Sequence, residues 1–203
     1  MPADWKPPAN TRALIFDCDG TLADTMPIHF KAWIRILPPL GIPFDEVRFY
    51  RLGGMPTAKI IRLLSAETGV PVADVDALVD EKESIFLSML HEVEPLQSIV
   101  GIAERFRGRL PMAVASGGYR SVVTKTLETI GIGDWFDAMV CAEDTVKHKP
   151  EPDVFLEAAK RLGNIPANAC VVFEDTDIGL EAARRAGMTG VDVRTWVPVR
   201  MGE

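Results

Sequence analysis

The sequence predicts an α/β protein: a doubly wound parallel sheet of five core strands, with a small all-helical cap inserted after strand 1. Three observations predict it. Five short apolar runs alternate with segments of helical periodicity. Several of those segments close on a glycine just past the last apolar residue, which is a helix stop. One long stretch after the first run breaks the alternation and carries helical patterns only.

The strand candidates are Ala13 to Phe16, Met112 to Ala115, Ala138 to Cys141, Cys170 to Phe173 and Gly190 to Val193. Between them run four helical stripes. Ile99, Ile102, Ala103 and Phe106 make the first. Val122, Val123, Leu127 and Ile130 make the second, closed by Gly131. Phe155, Ala158, Ala159 and Leu162 are closed by Gly163, and Ile178, Ala182, Ala183 and Ala186 by Gly187. Strands alternating with helices imply parallel pairing through right-handed crossovers, a Rossmann-like arrangement.

The insert reads as helices over Ile28 to Leu37, Asp45 to Leu52, Thr57 to Thr68 and Val72 to Leu90. Breaks fall at Pro38-Pro39, Gly53-Gly54 and Gly69-Val70-Pro71. Residues 25–94 are therefore expected to cap a core made of 1–24 and 95–203.

The 203 residues carry a net charge of −7, with 47% hydrophobic and 25% charged residues. That composition suits a soluble globular chain with a sizeable core. The acidic balance, without a Lys/Arg-rich run, argues against nucleic acid as a partner. No apolar run is long enough to span a bilayer, so no membrane partner is expected. The opening residues Met1 to Pro8 read as an irregular lead-in without the pattern of an export signal. Cys18, Cys141 and Cys170 are far apart and read as buried thiols in a reducing cytoplasm. A monomer is expected, with a homodimer as the alternative.

Ligands of such sheets bind outside the strand C-termini. Asp17, Asp19, Gly20 and Thr21 follow the first strand candidate. Ser116-Gly117-Gly118 follow the second, Lys149-Pro150 lie beyond the third, and Glu174-Asp175 close the fourth. Each group has a plainer reading as a turn, a helix cap or a solvated loop. Together they supply what phosphoryl transfer needs. Asp17 can attack phosphorus, and Asp19 can protonate the leaving oxygen and later deprotonate water. Ser116 with the Gly117 and Gly118 amides, and Gly20 with Thr21, can hold phosphoryl oxygens. Lys149 can balance the charge. Asp17, Asp19, Glu174 and Asp175 offer hard oxygens to Mg²⁺.

This ordered set resembles the haloacid dehalogenase superfamily of phosphohydrolases over roughly residues 12–193. True dehalogenases of that superfamily lack the second aspartate, so Asp19 implies phosphoryl chemistry. Asp24 to His29, followed by Ala32-Trp33, resembles the β-phosphoglucomutase-like branch. Gly54 to Thr57, Val93 to Leu96, Pro111 to Val114, Lys147 to Pro150 and Cys170 to Asp175 look more like bacterial fructose-1-phosphate phosphatases. The resemblance implies an Mg²⁺-dependent phosphatase acting on a small phosphorylated sugar. It places Thr25 and His29 at the cap hinge beside the general acid, and Gly54 and Thr57 toward the substrate. Thr57 stands where the mutases carry an arginine for a second phosphate, which weakens a mutase reading. A non-catalytic binding protein on the same fold is a remoter alternative. His91 and His148 read as surface groups, and the tryptophans as packing.

Overall fold

Strand β1, Ala13–Phe16, is the central strand of a five-stranded sheet in a computed structural model of the chain, which describes residues 4–196. The other strands are β2 Met112–Ala115, β3 Ala138–Val140, β4 Cys170–Glu174 and β5 Thr189–Asp192. Their order is β3-β2-β1-β4-β5, and every adjacent pair is parallel. Alternation along β1 explains why all four of its residues are buried. Ala13 and Ile15 join the cluster formed with helices α7 Asp153–Arg161 and α8 Asp177–Arg185. Leu14 and Phe16 face α5 Gln97–Phe106 and α6 Arg120–Thr129. Full burial of Leu14, Ile15 and Phe16 contributes roughly 1.5–3 kcal/mol per side chain. Trp5, in the irregular lead-in, packs edge-on against Phe173 and so ties that segment to the sheet.

Between β1 and β2 lie α1 Met26–Ile36, α2 Glu46–Arg51, α3 Thr57–Thr68 and α4 Val75–Ser88, with no strand among them. They share a separate apolar cluster that includes Trp33, Phe49, Ile61, Leu64 and Leu78. A further cluster joins them to the sheet layer: Ala23, Ile28, Phe86 and Met89 pack with Val122 of α6.

Boundaries differ from the sequence reading where polar caps intervene. The helix expected from Val72 starts at Val75, because Asp74 caps it by accepting the Ala77 amide at 2.9 Å. It also stops at Ser88, and Leu90–Glu92 forms a separate 3-10 turn. The first helix begins two residues earlier than expected, since Pro27 is tolerated in a first turn. β3 ends before Cys141, whose amide donates to Asp144 Oδ2 at 2.7 Å and opens a 3-10 turn. β5 is shifted by one residue to Thr189–Asp192.

The three cysteines are free and buried, and burial pushes their thiols up, to about 12 for Cys141 and about 11 for Cys170. Among the described residues, no helix is long and apolar enough to cross a membrane.

Candidate active site

All five strands run the same way, so the segments following β1, β2 and β4 converge at one edge. Asp17 is the first residue past β1 and is 5% exposed. Lys149 Nζ bridges it to the end of β4, donating to Asp17 Oδ1 at 2.6 Å and to Glu174 Oε1 at 2.5 Å. Lys149 and Glu174 are buried, so this is a desolvated charge cluster. The second Glu174 oxygen accepts from the Thr176 amide at 2.7 Å and the Thr176 hydroxyl at 2.8 Å. Both Glu174 oxygens are therefore engaged by the protein. Thr176 also caps α8 by accepting the Gly179 amide, which locks the strand end to the helix start.

Asp175 faces the β1 turn. Its Oδ2 lies 2.2 Å from the position a Cβ on Gly20 would take, so Gly20 is needed for this approach. Gly20 also has φ +77°, which suits glycine in a tight turn. The Thr21 hydroxyl donates to Asp175 Oδ1 at 3.2 Å. The Gly20 and Thr21 amides donate to Ala23 O and Cys18 O at 2.9 and 3.3 Å. Gly20 and Thr21 thus hold the turn and Asp175 together at the strand end.

Asp19 projects toward the helical side. Its Oδ1 accepts from Thr25 Oγ1 at 2.7 Å and lies 3.2 Å from His29 Nε2. Burial pushes its carboxyl up, but His29, Thr25 and the nearby Lys82 outweigh that and hold it below the ordinary range. Ser116 Oγ accepts the Gly118 amide at 3.0 Å, and Gly118 packs between Ser116 and Asp19. Gly117 has a different constraint: a Cβ there would stand 2.6 Å from the Gly54 carbonyl oxygen. The loop ahead of α3 thus rests directly on the loop after β2.

A cavity lies between the two layers. Asp17, Asp19, Ser116, Gly117 and Gly118 line it from the sheet; His29, Gly54 and Thr57 line it from the helices. Lys149, Glu174 and Asp175 do not line it, and Thr25 holds Asp19 from the start of α1. The sequence reading overlooked Lys82, Glu83 and Tyr119, which also line the cavity. Lys82 is 2% exposed, and its Nζ lies 2.8 Å from His29 Nδ1. Its signal was present, because Leu78, Lys82 and Phe86 recur at helical spacing and put a lysine on an apolar stripe. His148 is half-buried rather than fully at the surface, and burial lowers its pKa; His91 is exposed.

The donor set fits a hard divalent cation. Asp17, Glu174 and Asp175 gather around the single ammonium of Lys149, which leaves surplus negative charge. Burial, reinforced by neighbouring carboxylates, pushes Asp17 and Asp175 well up despite Lys149. No group of three or more His, Cys, Asp or Glu side chains converges as a complete metal cage among the described residues. Asp17 and Asp175, with backbone carbonyl, water and phosphate oxygens, match the way Mg²⁺ is held.

The sequence matches the profile of haloacid dehalogenase-like hydrolases over residues 14–193. It is 43% identical over 182 residues to fructose-1-phosphate phosphatase YqaB of Escherichia coli, covering 89% of this chain and 95% of that one. It is 31% identical over 196 residues to β-phosphoglucomutase of Bacillus subtilis, covering 93% and 85%. The crystal structure of β-phosphoglucomutase from Clostridium difficile superposes with a TM-score of 0.82 at 25% identity, over 90% of this chain and 84% of that one. The chain belongs to the haloacid dehalogenase-like hydrolases, where it stands among the phosphatases.

Proposed function

We propose that the chain is an Mg²⁺-dependent phosphatase of small phosphorylated sugars, with fructose 1-phosphate as the favoured substrate. One observation carries the reading. The two aspartates after β1 are held by different partners: Asp17 by the buried Lys149, Asp19 by the hinge residues Thr25 and His29. Separate environments assign separate roles. We also propose that residues 25–94 act as the cap, residues 1–24 and 95–203 as the core, and that the enzyme works as a cytoplasmic monomer.

In this reading the substrate phosphate seats between Asp17 and the Ser116-Gly117-Gly118 loop. The Asp17 carboxylate attacks phosphorus in line, and the bond from phosphorus to the sugar oxygen breaks. Asp19 gives its proton to that oxygen. A phosphate dianion beside Asp19 adds like charge and favours the protonated form, so substrate arrival primes the acid. After the sugar leaves, Asp19 takes a proton from water, which attacks phosphorus and frees phosphate and the Asp17 carboxylate. Lys149 stabilises negative charge at Asp17 throughout. Asp17, Asp175 and the Asp19 carbonyl would hold Mg²⁺, which would supply charge neutralisation at the phosphoryl oxygens. Glu174, held by Lys149 and Thr176, would add negative charge beside that ion.

The identity with the Escherichia coli phosphatase supports fructose 1-phosphate as the first candidate. A kinetic screen over phosphorylated hexoses, pentoses and polyols tests it. The expected result is phosphate release that is strongest with fructose 1-phosphate and abolished by a chelator. Conversion of β-glucose 1-phosphate to glucose 6-phosphate, without net phosphate release, would contradict it.

A further inference from the structure

Glu83 stands one residue beyond Lys82 on α4, and its side chain is 13% exposed. Oε1 accepts the Thr57 hydroxyl at 2.7 Å. Lys82 Nζ reaches both Glu83 oxygens, at 3.1 and 3.2 Å, while also lying 2.8 Å from His29 Nδ1. An ammonium has three donors and no acceptor, so these contacts use its capacity. The Trp33 and Phe86 ring centroids lie 5.5 and 5.4 Å from it. Among the described residues, no other lysine and no arginine lines the cavity.

Beyond Glu83 the charge is one-sided. A second cavity shares Glu83, Tyr119 and Val122 with the first. It is lined further by Asp76, Asp80 and Glu143 and, among the described residues, by no lysine or arginine, although Arg62 Nη2 stands 4.0 Å from Asp76 Oδ1. Tyr119, at the junction, has its phenol pushed up by burial and then by Glu83, Asp76 and Glu143, with Arg62 the opposing influence. A phosphate on Asp17 is met by Lys149, but a second anion on the sugar body would meet carboxylates and a lysine already paired.

We propose that Glu83 is a specificity residue, which by pairing with Lys82 rejects substrates with a second anionic group and selects monophosphates of otherwise neutral sugars. The proposal rests on the sugar-phosphatase reading and adds a rule about the substrate body. Like charges brought together without a partner are a standard route to discrimination. Removing one such charge at contact range is worth about 10–100-fold.

The test compares fructose 1-phosphate with fructose 1,6-bisphosphate in the full chain, Glu83→Gln and Glu83→Thr. Calorimetric binding is measured in an Asp17→Asn background, which leaves the ligands intact, and kcat/KM in the parent background. The parent should prefer the monophosphate by at least ~10-fold, and both variants should reduce that preference by at least ~10-fold. Two variants of different size separate lost charge from altered packing, and an unchanged melting temperature verifies their folding. A preference that neither variant changes, or a parent that binds the bisphosphate equally well, overturns the proposal. Hydrolysis that fails for every sugar phosphate overturns the phosphatase reading instead, and the binding ratio still decides the role of Glu83.

Discussion

Lys82 Nζ lies 2.8 Å from Nδ1 of His29, across 53 residues of sequence. An ammonium can only donate, so Nδ1 is the acceptor and the ring proton sits on Nε2, aimed at Asp19 3.2 Å away. Phe86 stacks on the imidazole at 4.0 Å and holds its plane. A buried lysine on one helix thus fixes the tautomer that steadies the Asp19 carboxylate of another segment, the proposed acid/base.

Lys82→Met should separate this positioning role from stability. Removing Lys82 leaves the Glu83 carboxylate without its cation, so the melting temperature should fall, and turnover is compared well below the unfolding transition. Turnover should fall about 10–100-fold, the usual cost of losing an orienting partner. Asp19 would lose a cation that favours its carboxylate, so its pKa should rise. The limb of the pH–rate profile that needs ionised Asp19 should therefore move to higher pH. An unmoved profile would reduce Lys82 to a packing role.

Gly117→Ala should act through the loop ahead of α3. Its new Cβ would press on the backbone carbonyl of Gly54, which cannot yield as a flexible side chain does. The loop must move off the site, and displacements of this size cost about 100-fold in rate. The melting temperature should barely change. Gly101→Ala is the control: it lies within α5 with nothing inside 4 Å of its Cβ position. That variant should gain roughly 0.5–1 kcal/mol of stability and keep full activity.

These two positions show what the sequence made legible. The strands and the glycines at 131, 163 and 187 follow from local periodicity and φ, so they could be read directly. Asp17, Ser116, Lys149 and Glu174 could be placed because parallel strands deliver their C-terminal ends to one edge. Gly117 was read as a phosphate loop, but its contact with Gly54 depends on how two separate layers meet. Lys82 is marked locally as a lysine on the apolar stripe of Leu78 and Phe86, but its partner His29, like the Thr57 partner of Glu83, lies across 53 and 26 residues and has no local signature. Thr21 is read from sequence as offering a hydroxyl and an amide to phosphate, and its hydroxyl donates to Asp175 after β4, a contact that no local pattern encodes.

Asp144→Asn should give a stability effect that depends on pH. Asp144 accepts from the Cys141 amide and from Arg120, and Arg161 reaches its other oxygen at 2.9 Å. Burial acts to raise its pKa, but Arg161, the Cys141 amide and Arg120 bring it below the ordinary value. A depressed folded pKa contributes stability above the unfolded pKa, which is lost as pH falls through the folded one. The variant should be less stable by about 1 kcal/mol at pH 7, after allowance for solvent screening. The gap should close below about pH 4. Urea melts across that range measure it; a gap independent of pH would contradict the assignment.

Phosphate release by Asp17→Asn, measured with Mg²⁺ and fructose 1-phosphate beside the parent chain, tests the central claim most directly. The substitution removes the nucleophile and one charge from a crowded carboxylate cluster, so the protein should stay folded with a melting temperature at or above that of the parent. Turnover should fall by at least ~10⁴-fold, the scale expected when a nucleophile is lost. A folded Asp17→Asn protein that releases phosphate at the parent rate would contradict the account.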